Sequence, residues 1–262
     1  MFRIAVWGDF STSGAHADRE RFAYLLQRDE VNLGPDHPHL ATGMDNLGLV
    51  LRDLGCTREA KEWFERALSK DESRYGQDHP KVAGRLNHIG LALQDLGDYE
   101  RAKECFETAL RILDAACGPE DPAVAASVNG IGTVLQDLGD LTGARVCFER
   151  ALRIAETKCG PDHPDVASFV NNLGNVLHAL GDYDGARVCF ERALGIAEVG
   201  YGSDHPNAAR AVSNLGSVFL SLGDIDGAKA RFRRALAIFT ATLDPECPSA
   251  RSVRQLLEQL PS

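Results

Sequence analysis

One interval dominates this chain. Gly34, Gly76, Gly118, Gly160 and Gly202 stand 42 residues apart, and Pro38, Pro80, Pro122, Pro164, Pro206 and Pro248 keep the same register. So do Gly55, Gly97, Gly139, Gly181 and Gly223, and Phe64, Phe106, Phe148, Phe190 and Phe232. No insertion or deletion breaks the register across five units. A repeat of this kind implies stacked supersecondary units, each of which buries its apolar face only against its neighbours.

Each unit reads as two helices, here termed A and B. Helix A begins at the Asp-His-Pro segment, where proline suits a first turn whose N–H lacks an intrahelical acceptor. In the second unit Val82, Leu86, Ile89 and Leu93 follow in steps of four, three and four, one face of a helix. Leu96-Gly97 ends it, because glycine readily takes the left-handed conformation of a helix end. Asp98, Asp140, Asp182 and Asp224 stand where helix B needs an N-cap. The first unit has Cys56 there, with Thr57 expected as the substitute cap. Helix B carries Ala102, Phe106, Ala109, Leu110 and Leu113 at helical spacing. Two helices of roughly 16–18 residues and two short turns account for the whole unit.

Leu47-Gly48, Ile89-Gly90, Ile131-Gly132, Leu173-Gly174 and Leu215-Gly216 in helix A, followed by Gly-Asp-Tyr and the Ala…Phe…Ala-Leu of helix B, resemble a tetratricopeptide repeat. The usual repeat has about 34 residues. The longer form, with Gly-Pro-Asp-His-Pro between units, is similar to the kinesin light chain type. The resemblance implies an all-α fold, an α-α superhelix of five full repeats with partial repeats at both ends. The repeats are expected at 34–75, 76–117, 118–159, 160–201 and 202–243. Residues 244–262 fit a capping helix with Val253, Leu256, Leu257 and Leu260 on one face. Within residues 1–33, Ala17–Leu33 matches helix B in register. Residues 1–16 match helix A poorly: they form a divergent cap, or the chain begins inside what was once a longer protein.

Composition narrows the function classes. The net charge of −10 opposes general nucleic-acid binding, which needs clustered Lys and Arg, and opposes adhesion to an anionic membrane. Seven cysteines, an odd number without CxxC spacing, read as reduced thiols in a cytoplasmic protein. Ile4-Ala5-Val6-Trp7 is too short for a signal-peptide core. No apolar stretch is long enough to span a membrane.

The resemblance places helix A along a concave groove, and the polar residues of that face are the candidate ligand contacts. They are Asn46, Asn87, Asn129, Asn171, Asn172, Asn175 and Asn214, with a second row of Arg52, Gln94, Gln136 and His178. A carboxamide both donates and accepts, so one per repeat could hold an extended peptide backbone with little regard for its sequence. The alternative is that the same amides bond to neighbouring helices and set the repeat spacing. Asp53, Asp95 and Asp137 make one groove edge acidic, which would steer a partner bearing Lys or Arg. Arg85 and Arg210 read as isolated positive points within it.

Regular spacing removes other candidates. His37, His79, His163 and His205 form a ladder, but equivalent points in adjacent repeats lie about 10 Å apart. Zinc ligands sit about 2.0–2.3 Å from one ion, so these histidines read as turn residues. Cys105, Cys147 and Cys189 form one helix-B column and Cys117 and Cys159 another, beside Tyr75 and Tyr201; both columns read as packing positions. Gly130-Ile131-Gly132 lies inside helix A and lacks the rest of a phosphate loop. No metal, cofactor or catalytic cluster is expected. The chain reads as a non-enzymatic scaffold that binds a protein or peptide in the groove, with self-association through the solenoid ends as a further route. The alternative is the sensor arm of a bacterial nucleotide-dependent signalling system whose ATPase lies outside this chain.

Overall fold

The computed structural model describes residues 12–34, 37–243 and 247–260. The Ile4–Trp7 segment and most of the poorly matching N-terminal stretch lie outside the described residues, as do Pro35, Asp36 and the start of the last expected segment. All regular structure among the described residues is helical. The chain forms two compact units, residues 1–138 and 139–262. The first holds α1 (Thr12–Leu33), α2 (Pro38–Asp53), α3 (Thr57–Tyr75), α4 (Pro80–Asp95), α5 (Tyr99–Cys117) and α6 (Pro122–Asp137). The second holds α7 (Leu141–Cys159), α8 (Val166–Ala179), α9 (Tyr183–Tyr201), α10 (Pro206–Ser221), α11 (Ile225–Thr242) and α12 (Pro248–Gln259). Even-numbered helices from α2 to α10 are A helices; odd-numbered ones from α3 to α11 are B helices.

The A-to-B turn shows why so few residues suffice. Gly97, at φ 80°, donates its N–H to Gln94 O at 2.9 Å, and Asp98 N–H reaches Leu93 O at 2.9 Å. This is a Schellman ending, and its last residue is already the N-cap of α5. Asp140, Asp182 and Asp224 cap the backbone N–H of Gly143, Gly185 and Gly227 at 2.9, 2.9 and 2.8 Å. A Cβ on any of those glycines would collide with the capping carboxylate. In α5 the corresponding residue is Arg101, and Asp98 instead accepts from its guanidinium at 3.3 Å. The expected aspartate cap is therefore made at three of four positions. Thr57 does not cap α3 either; it is the first helical residue, and Cys56 before it makes no side-chain cap bond.

At the start of helix A the histidine itself is the cap. Nδ1 of His79, His163 and His205 accepts the N–H two residues on at 3.2 Å in each case, and Asp121 does the same at 2.9 Å. This gives the turn role of the histidine ladder its chemistry. α8 departs from the register: it starts at Val166, not at Pro164. Its first turn closes with i→i+3 bonds, Val166 N to His163 O at 2.9 Å and Ala167 N to Pro164 O at 3.2 Å. Tyr75 and Tyr201 stack on His79 and His205, with ring centroids 4.5 and 4.7 Å apart. Cys117 and Cys159 occupy the same column and are exposed, as Tyr201 is, so the column is not the buried packing position expected.

Packing within each pair rests on glycine meeting phenylalanine. Phe64, Phe106, Phe190 and Phe232 are fully or almost fully buried. Their rings lie against Gly48, Gly90, Gly174 and Gly216 of the A helix before them, where any Cβ would be too close. The glycine of the Leu-Gly pair is thus a socket for the ring. B helices run 18 or 19 residues, slightly longer than expected. In the second unit, Val253 and the half-buried Leu256, Leu257 and Leu260 pack on the cluster around Phe232 and Phe239. In the first, α1 begins at Thr12, five residues ahead of the expected start, and meets α2 through Leu26, near Gly43.

Candidate functional site

Within each unit, successive A helices touch directly: α2 with α4, α4 with α6, and α8 with α10. Successive B helices make no comparable contact among the described residues. A stack closed up on one side and open on the other curves toward the closed side, so helix A forms the inner face of each unit.

The expected polar residues lie on this face, and many bond from one A helix to the next. In the first unit Ser127 Oγ donates to Asn87 Oδ1 at 2.9 Å, and Thr133 Oγ1 donates to Gln94 Oε1 at 3.1 Å. Gln94 Nε2 donates to Asp137, and Arg52 Nε to Asp95, each at 2.5 Å. In the second unit Asn214 Nδ2 donates to Asn171 Oδ1 at 2.8 Å and to Asn175 Oδ1 at 3.3 Å. His178 Nε2 meets Ser221 Oγ at 2.9 Å. Asn171 is buried; Asn46, Asn129, Asn172 and Gln136 are half-buried.

These bonds engage one side of Asn87, Asn175 and Asn214 and both ends of Gln94. An asparagine offers two N–H bonds and an acceptor oxygen. Among the described residues, Asn87 Nδ2, Asn175 Nδ2 and Asn214 Oδ1 carry no hydrogen bond. Of the acidic edge, Asp95 and Asp137 are held by Arg52 and Gln94, whereas Asp53 makes no such bond. The Asp53 carboxyl is pushed above the usual carboxylate range, chiefly by loss of surrounding water and further by Asp95, against the pull of Arg52.

One cluster breaks the periodicity. Arg85 is not an isolated positive point. Its guanidinium lies between Asp45, at 2.6 Å, and Asp71, at 2.9 Å, all three largely buried. His88 Nδ1 meets the other Asp45 oxygen at 2.7 Å. A bare carboxylate cannot be buried cheaply, and here each has the guanidinium. The cluster ties α2, α3 and α4 together. Its sequence signal is that Asp71 and Arg85 stand where the following repeats carry Leu113 and Ser127, Ala155 and Phe169, and Ala197 and Ala211. Among the described residues, no group of His, Cys, Asp and Glu is arranged to hold a metal ion. No described helix is long and apolar enough to cross a membrane.

Two descriptions of the tetratricopeptide repeat match the sequence, one over residues 81–157 and 165–241 and the other over 40–81. No curated protein matches the chain. Among solved structures the chain is similar to BtubC (BKLC) from P. vanneervenii, with 26% identity over 88% of this chain and 90% of that one, at a TM-score of 0.66. It is also similar to a Podosopora anserina structure of nearly identical TPR-like repeats of the kinesin light chain kind. That match has 21% identity, covers 79% of this chain and 99% of the other, and has a TM-score of 0.62. The chain belongs to the tetratricopeptide repeat family.

Proposed function

We propose that this protein is a non-catalytic interaction scaffold that holds an extended segment of a protein or peptide along its A helices. The observation that carries this reading is the row of half-engaged amides. Asn87, Asn175 and Asn214 each spend part of their hydrogen-bonding capacity on the neighbouring A helix, which holds the remaining N–H or C=O in place. A ligand meeting such groups does not have to order them first, so less entropy is lost on binding. Asn46, Asn87, Asn129, Asn171, Asn172, Asn175 and Asn214 form the main row, with Arg52, Gln94, Gln136 and His178 beside it. Asp53, Asp95 and Asp137 favour a basic residue in the partner, and Asp53 is the most available of them. The seven free thiols suit a reducing, cytoplasmic setting.

Affinity capture on the immobilised chain, read by mass spectrometry, tests this against an Asn87→Ala/Asn129→Ala/Asn171→Ala variant. Thermal melting of both proteins controls for lost helix contacts. Loss of at least one partner from a folded variant is expected. Equal recovery of every partner would overturn the groove reading.

A further inference from the structure

The inner face of the second unit carries a depression of about 160 Å³ lined by Asn175, His178, Phe190, Asn214 and Ser217. It arises from a drift along one column. Leu49 and Leu91 occupy that position in the first two repeats, then Thr133, then Asn175 and Ser217. Replacing a branched apolar side chain by a smaller polar one leaves room above the phenylalanine ring.

The lining states what fits. The floor is the edge of Phe190, and the rim has no carboxylate, ammonium or guanidinium. Asn175 presents its Nδ2, because its Oδ1 already accepts from Asn214. Asn214 presents its Oδ1, because its Nδ2 serves both Asn171 and Asn175. Ser217 donates back to Ser213 O at 3.5 Å, which leaves its oxygen as an acceptor. His178 is held by Ser221 and leans on Tyr183 with ring centroids 5.3 Å apart. A donor and an acceptor therefore face one small space with an apolar base. At ~30 Å³ per water, the space holds about five waters or a group of similar heavy-atom count.

We propose that this depression is a carboxamide-reading subsite that takes an Asn or Gln side chain of the bound segment. The incoming N–H₂ donates to Asn214 Oδ1 or Ser217 Oγ, and the incoming C=O accepts from Asn175 Nδ2. A Lys or Arg would lose water there without meeting an anion, and an aliphatic residue would leave the fixed donor and acceptor unpaired. This inference rests on the scaffold reading and adds to it a preferred residue at one place.

The test uses the full chain and a random decapeptide phage library, followed by substitution arrays of the selected peptides. An Asn or Gln enriched at one position is expected. Its replacement by Met, Glu or Lys should weaken binding about tenfold, as loss of a satisfied polar pair does. Asn175→Leu/Ser217→Leu installs the residues that Leu49 and Leu91 place at the equivalent points, so the packing has a precedent in this chain. It should abolish that preference. Asn175→Thr, after Thr133, is the milder second variant and should weaken it. Selected peptides with no Asn or Gln preference, or a preference unchanged in either folded variant, would overturn the subsite while leaving the scaffold reading intact. Failure to enrich any peptide over a scrambled control would overturn both.

Discussion

Two glycines in the second unit should respond to the same substitution with opposite signs. Gly174, in α8, is the socket for Phe190: a Cβ there would stand 2.7, 2.9 and 3.0 Å from three ring carbons. Carbon atoms prefer about 3.5–4.0 Å, and the ring is almost fully buried, so it has little room to withdraw. Overpacking of this kind costs about 1–3 kcal/mol. Against it stands the higher helix propensity of alanine, about 1 kcal/mol in a helix interior. Gly174→Ala should therefore destabilise by up to about 2 kcal/mol on balance. Gly195, in α9, is exposed and has nothing within 4 Å of a built Cβ. Gly195→Ala keeps only the propensity gain and should stabilise by about 0.5–1 kcal/mol. Hydrogen exchange of α8 and α9 under native conditions is the suitable assay, because repeat stacks open locally as well as globally. Phe190→Leu removes the ring edge, and on that background Gly174→Ala should lose most of its cost. The expected coupling is about 1 kcal/mol or more. The socket would be refuted if Gly174→Ala stabilised the unit as Gly195→Ala does, or cost the same with and without the Phe190→Leu change.

Other expectations follow from the caps, thiols and buried charges. Burial holds the His205 imidazole below its ordinary range, and its neutral Nδ1 accepts the α10 cap bond. A depressed imidazole adds stability above its unfolded-state pKa, and that stability is lost as pH falls through the range. His205→Asp, after Asp121, should remove this acid-side loss, worth about 1 kcal/mol at a cap, in melts between neutral and mildly acidic pH. Burial raises the Cys105, Cys147 and Cys189 thiols, whereas Cys56, Cys117 and Cys159 are exposed. Timed iodoacetamide labelling read by mass spectrometry should modify the second group first. Arg85→Ser alone strands two buried carboxylates and should cost about 3–5 kcal/mol by urea denaturation. The combined Asp45→Asn/Asp71→Leu/Arg85→Ser/His88→Gly change copies the next joint, with Asn87, Leu113, Ser127 and Gly130, and should cost far less.

The period made the architecture legible because each recurring residue has one backbone or packing duty. Glycine ends a helix, proline opens one, and phenylalanine enters a glycine socket. Equal duties recur at equal intervals, so the helices could be placed from spacing alone. The Asp98 cap failed because that duty depends on a second residue, a glycine where Arg101 stands. The candidate row was legible as a set of positions but not as a bonding pattern. Whether an amide faces its neighbour or a ligand depends on the residue one repeat away, as Ser127 and Asn87 show. The Arg85 cluster was misread for the opposite reason. A charge outside the period was assigned to the surface, although its column holds small or apolar residues in the repeats that follow. Charged residues in a buried column are the signal that would have found it.

The central claim is that the A helices carry the ligand. Hydrogen–deuterium exchange of the full chain, with and without a library-selected peptide, tests it most directly. Binding should slow exchange in α4, α6, α8 and α10 while leaving the outer turns of α5, α7, α9 and α11 unchanged. Protection confined to those B helices would contradict it.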